Sequence, residues 1–151
     1  THSHYIMQKL FVGFICGCLS SMITVCICFR LSLQNAALML MLIVLSAFVA
    51  ALTGVFIGRA SGGLMVGVVY IKIVMLLFMA VPILRFLVGT CPPLLSAVCY
   101  LVPSQATFEG IMDLSTGSGT AAVKDILILV VHCLLWFLLY LLLSRRQIKS
   151  A

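Results

Sequence analysis

The hydrophobic positions of this chain fall in continuous blocks. They show neither the alternation of a half-buried strand nor the one-sided stripe of a soluble helix. Residues 6–29, 36–58, 64–88 and 126–143 are almost wholly apolar. Their borders are polar or basic: Lys9 lies one turn inside the first block, Arg30, Gln34 and Asn35 follow it, and Arg59 follows the second. Arg85 stands near the end of the third, Lys124 and Asp125 precede the fourth, and Arg145, Arg146 and Lys149 close it. A helix rising roughly 1.5 Å per residue must cross about 30 Å of hydrocarbon, so roughly 18 to 20 apolar residues suffice. Each block is therefore predicted to be a membrane-spanning helix, and the chain to be a single helical transmembrane domain of the all-α class. Pro82 removes a backbone donor inside the third block and should kink or end that helix.

The segment 89–123 breaks the pattern. It is too apolar for a solvated loop, yet its apolar run 94–102 is too short to cross, and Pro92, Pro93 and Pro103 punctuate it. Such a run between prolines predicts a re-entrant helical hairpin at about 90–113, packed on neighbouring spans before the last one. Exposing Leu94, Leu95, Val98, Tyr100, Leu101 and Val102 to water would create an apolar patch that soluble surfaces avoid. Ser104 is placed to cap a short helix carrying Glu109 and Asp113, and Ser115 to Thr120 reads as a flexible tip. The two acids would sit at the solvated margin, where they need no partner.

Composition sharpens this. Hydrophobic residues make up 64% of the chain and charged residues only 8%, against roughly a quarter charged in soluble domains. The net charge of +6 is scattered over helix ends and forms no stripe, so no nucleic-acid partner is expected. Its work is orientation. With the C-terminal basic cluster in the cytoplasm and four spans, the N-terminus is cytoplasmic too. Lys9, Arg59, Arg145, Arg146 and Lys149 then lie inside, and Arg30, Arg85 and Lys124 lie outside with all three acids, Glu109, Asp113 and Asp125. The chain begins at Thr1 without a leader signature, which is expected of a boundary within a longer gene.

These elements in this order resemble the C-terminal part of an ABC type-2 transporter permease. The features that match are Lys9 at the start of a span, a span ending in Gly54-x-x-x-Gly58-Arg59, and a span closing near Pro82. An outer segment with Pro103-Ser104 and a turn at Glu109-Gly110 follows, then a last span with a short basic tail. The family usually has six spans behind an amphipathic elbow helix, so the four here would be its last four. The resemblance implies a permease working as a homodimer or heterodimer in the cell membrane, driven by a separate ATP-binding-cassette ATPase subunit and moving a substrate outward. The alternative reading is a small helical assembly or interaction protein without transport activity.

Four polar positions are candidates for function. Lys72 lies within the third span, where a charge is costly and is a functional hypothesis by default, with Tyr70 and Tyr140 as possible partners. The competing reading is a snorkelling side chain. His132 interrupts the last span; a histidine hydrogen-bonded across helices is the simpler account, because a proton relay needs a second titratable group at its depth. Glu109 and Asp113 share one helix face at i, i+4. No nucleophile or third ligand accompanies them, and no nucleotide-binding or hydrolytic motif is present, so the chain is not expected to be an enzyme or to hold a cofactor. The seven cysteines suggest no metal site: Cys16 and Cys18, and Cys26 and Cys28, point about 200° apart on a helix. Only Cys91 and Cys99 lie where a disulfide is conceivable. Gly13-x-x-x-Gly17 and Gly54-x-x-x-Gly58 are helix-packing patterns.

Overall fold

A computed structural model describes residues 2–28, 35–89 and 92–149, with side chains described at 7–27, 35–89, 92 and 96–142. The described residues form α1 (His2–Cys28), α2 (Ala36–Ala60), α3 (Leu64–Val88), α4 (Pro93–Cys99), α5 (Pro103–Ser115) and α6 (Gly119–Lys149). Four of these, over Met7–Ile27, Ala36–Ala60, Leu64–Val88 and Gly119–Leu142, are long and apolar enough to cross a membrane. The protein is thus a multi-pass helical membrane protein. The helix that carries the last apolar block begins at Gly119, ahead of residue 126. Lys124 and Asp125 lie inside α6, because Gly119 to Val123 already continue the helix.

The spans are apolar on every side, so their sequences favour helix without selecting a packing face. The structure makes that selection. α2 is the centre: Leu42, Ile43 and Met39 pack with Ala106 and Leu114 of α5 and with Ala122, Ile126 and Leu129 of α6. α1 lies along α2, with an edge-to-face pair of Phe14 and Phe48 at 6.3 Å. Trp136 and Phe56 join α6 to α2 at 5.3 Å. α3 buries only Pro82 and otherwise exposes apolar side chains along its length. Pro82 does not end that helix, which continues to Val88. Gly89 then follows at φ 63° and ψ −81°, a positive-φ conformation that glycine adopts without the steric cost of a Cβ.

Residues 93–115 form a helical hairpin, α4 and α5, in which α5 packs on α2, α3 and α6 and α4 packs on α3. Three local expectations change. Ser104 does not cap α5, because Pro103 occupies the first turn and no side-chain cap forms. Of the Ser115–Thr120 tip only residues 116–118 lie outside helix, in a tight turn: Gly117 takes φ 84°, and Ser118 N–H donates to the Asp113 carbonyl at 2.8 Å. Glu109-Gly110 is not a turn but mid-helix. Gly110 is where α5 meets α2, since a Cβ there would stand 2.3 Å from Leu42 Cδ1 and 3.4 Å from Asp125 Cβ. The expected packing glycines contribute less. Gly17 faces Ala47 at ordinary contact distance, while Gly13, Gly54 and Gly58 meet nothing nearby among the described residues.

Candidate functional site

Prolines open both α4 and α5, and Tyr100, at the turn between them, lies against Lys124 and Asp125 near the start of α6. There it centres a cluster of ionisable side chains from three elements. The Glu109 carboxylate accepts Arg85 Nε–H of α3 at 3.1 Å and Gln105 Nε2–H at 2.7 Å on the same oxygen. Its other oxygen accepts the Tyr100 hydroxyl in a short contact. Lys124 Nζ donates to the Tyr100 oxygen at 3.2 Å and lies 4.7 Å from the centre of its ring. Asp125 Oδ1 stands 3.4 Å from the same hydroxyl. Gln105 and Asp125 are 0% and 2% exposed, whereas Arg85 and Glu109 are a quarter exposed and Lys124 is exposed, so the network is buried on one side and open on the other, and a missing partner costs most at its buried members.

The electrostatics follow. Burial alone would raise the Glu109 carboxyl, but hydrogen bonds from Tyr100, Arg85 and Gln105 and the charge of Arg85 outweigh it, leaving it below the usual carboxylate value. Burial, the bond to Glu109 and the neighbouring negative charges push the Tyr100 hydroxyl well above its ordinary range, so it keeps its proton.

The sequence candidates fare unevenly. Glu109 is the acceptor at the centre of the cluster and not a solvated member of a pair with Asp113. What the fold sets beside it, through Tyr100, is Asp125. Asp113 is half-buried and its backbone carbonyl serves the turn to α6. Lys72 is exposed on α3, and Tyr140 lies instead against Arg59, whose guanidinium carbon is 4.9 Å from the ring centre. His132 is hydrogen-bonded across elements: Nδ1 lies 2.9 Å from the Ile128 carbonyl oxygen, and Nε2 lies 3.2 Å from that of Leu101, beside Tyr100. Cys16, Cys18 and Cys26 stay apart as free thiols, and no cluster of metal-ligating side chains occurs among the described residues. Cys99 is buried and free; Cys91 lies outside the described residues. Sequence reasoning missed Tyr100, Arg85, Gln105 and Asp125 as site residues. Asp125 carried a signal, because an acid at the mouth of an apolar helix needs a partner.

On the opposite face of α5, Ser104, Thr107, Phe108 and Ile111 roof a mainly apolar cavity of about 590 Å³ that α1, α2 and α3 flank. Its hydroxyls at Ser20, Ser46 and Thr107 donate to carbonyls of their own helices. A second, almost wholly apolar groove of about 920 Å³ runs between α2 and α3.

Comparison with protein families gives a match over residues 1–142 to the family described as ABC-2 family transporter protein. Comparisons with curated proteins and with solved structures found no match.

Proposed function

The chain belongs to the ABC-2 family of transporter proteins and is a membrane-embedded permease; from that premise we propose that it serves an ABC exporter. A separate ATP-binding-cassette ATPase subunit supplies the energy, and the permease works as a homodimer or heterodimer. The observation that carries this reading is the family match, which spans nearly the whole chain and all four apolar helices together.

Several features support the finer points. The basic residues gather at the end of the bundle that carries Arg59 and the C-terminal tail, which favours cytoplasmic termini and a position in the cell membrane. The acids gather at the hairpin end, which is then outer, and the hairpin dips into the outer leaflet there. Val98 and Leu101 expose 63% and 77% of their surface, which suits contact with lipid better than contact with water. The exposed length of α3 offers area to lipid or to a second permease. The cavity beneath α5 lies between spans and under the hairpin, where a substrate path would open.

Expression with candidate ATPase subunits tests the reading. Co-purification of one subunit, with ATP-dependent efflux from vesicles containing both proteins, is the expected result. Stable, dimeric chain that recovers no ATPase and changes no ATPase activity would refute it. Orientation is tested separately by a Ser118→Cys variant. Labelling from the external side is expected; labelling from the cytoplasmic side alone would overturn the topology.

A further inference from the structure

Arg59 is a cation for which this chain supplies no anion. It stands one residue before the end of α2, and its guanidinium carbon lies 4.9 Å from the ring centre of Tyr140 on α6. Its Nε and Nη1 are buried and have no hydrogen-bond acceptor among the described residues, which costs free energy until an acceptor arrives. The chain carries three acidic side chains, Glu109, Asp113 and Asp125, and all belong to the hairpin end. Glu109 is engaged by Arg85, and Asp125 is about 22 Å from Tyr140 along α6, at roughly 1.5 Å per residue. The charges that follow Tyr140 are Arg145, Arg146 and Lys149, all positive. The acceptor that completes Arg59 therefore belongs to another molecule.

Depth and surroundings indicate its chemistry. The two apolar spans end at Ala60 and Leu142, so Arg59 and Tyr140 lie where hydrocarbon gives way to headgroups, the level that interfacial tyrosines occupy. One turn deeper on the same two helices, Phe56 and Trp136 pack at 5.3 Å and form an apolar layer beneath the cation. A guanidinium fork matches the oxygens of a phosphate. We propose that the end of the α2–α6 contact is a phospholipid site, at which Arg59 holds the phosphate of an anionic headgroup and the acyl chains run past Phe56 and Trp136. A zwitterionic headgroup fits less well, because its ammonium would meet a basic tail and a Tyr140 face already taken by Arg59. An acidic side chain of a protein partner would have to reach into the span, whereas headgroup phosphates already lie at this depth. The bound lipid bridges α2 and α6 at this end and steadies their contact.

Thermal unfolding of the full chain in uncharged detergent, followed through its single tryptophan, Trp136, tests the site. Phosphatidylglycerol should raise the melting temperature in a saturable way, at concentrations about tenfold below those of phosphatidylcholine, and inorganic phosphate at equal concentration should not. Arg59→Gln should weaken the apparent affinity for phosphatidylglycerol about tenfold or more, as for one charged hydrogen bond, and Arg59→Lys, which keeps the charge and loses the fork, by less. Arg146→Gln removes a charge at the same end and should weaken it less than about threefold. The absence of a saturable shift, or equal shifts from phosphatidylcholine or inorganic phosphate, would overturn an anionic lipid as the occupant. Equal losses in Arg59→Gln and Arg146→Gln would show diffuse attraction and overturn the site. An Arg59→Gln protein that keeps its lipid affinity but no longer recovers an ATPase subunit would assign the acceptor to a protein and overturn the proposal.

Discussion

Replacing Gly110 by alanine sets two known effects against each other, and the structure decides between them. In an exposed helix interior the change gains about 1 kcal/mol from helix propensity. In α5 the new methyl would fall 2.3 Å from Leu42 Cδ1, whereas carbon atoms pack at about 3.5–4.0 Å. Leu42 is 0% exposed and held by α5 and α6, so the leucine must leave its rotamer or α5 must lift from α2. Such overpacking costs about 1–3 kcal/mol. The net expectation is a loss of up to about 2 kcal/mol, with the Tyr100 cluster disturbed because Asp125 Cβ is the next atom at 3.4 Å. A double-mutant cycle isolates the clash. Leu42→Ala alone should cost about 2–5 kcal/mol as a cavity. Combined with Gly110→Ala it should cost less than the sum, by about 1–3 kcal/mol, because the added methyl then has room. Thermal unfolding in detergent, followed through Trp136 fluorescence, measures all four proteins. Stabilisation by Gly110→Ala, or strict additivity in the cycle, would refute the close approach of α5 to α2.

The remaining expectations concern the cluster and the hairpin. Because Glu109 sits below its ordinary value in the folded protein, its contribution is complete above the unfolded carboxylate pKa and is lost as pH falls through the folded one. Glu109→Gln should lower stability at neutral pH and flatten this acid limb in melting curves taken across pH; an unchanged limb would remove Glu109 as its source. Arg85→Gln should destabilise by about 1.5–3 kcal/mol or less, as expected for a charged hydrogen bond that is partly exposed, and double-mutant analysis with Glu109→Gln should show coupling. Val98→Asp should cost about 2.5–3.5 kcal/mol or less in membrane assembly if the hairpin lies in hydrocarbon, falling with nearness to the interface, and almost nothing if it lies in water; the yield of assembled protein distinguishes these. Gly54→Ala and Gly58→Ala should add up to about 1 kcal/mol each to the stability of the chain, since their positions are open, and a loss confined to dimer formation would place that pattern at a contact between subunits.

Much of the architecture was legible along the chain because membrane insertion is a local property. A block of apolar residues long enough to cross, bounded by charge, declares a span without reference to any other block, and prolines around a short apolar run declare a hairpin. The same local reading failed at boundaries where the residues were compatible with either state. Lys124 and Asp125 border the last apolar block yet lie within α6, since a helix does not stop at charges whose partners are supplied from elsewhere. Ser104 had the chemistry of a cap, but Pro103 took the first turn.

What only the tertiary structure decided is which faces meet. Helices apolar all round give no stripe to mark a buried side, so nothing in the pattern foretold that Gly110 would carry the α5–α2 contact while Gly54 and Gly58 would not. The polar cluster is hidden for a related reason. Arg85 and Glu109 are 24 positions apart, and Tyr100 and Asp125 are 25. Each is unremarkable in its own segment, and each is a partner only because the hairpin folds Tyr100 back over the start of α6. The sequence determined that these helices enter a membrane, because transfer from water depends on each segment's own composition. The packing of α5 against α2 and α6 determined where its few charges find one another, because pairing depends on distances that only the assembled bundle sets.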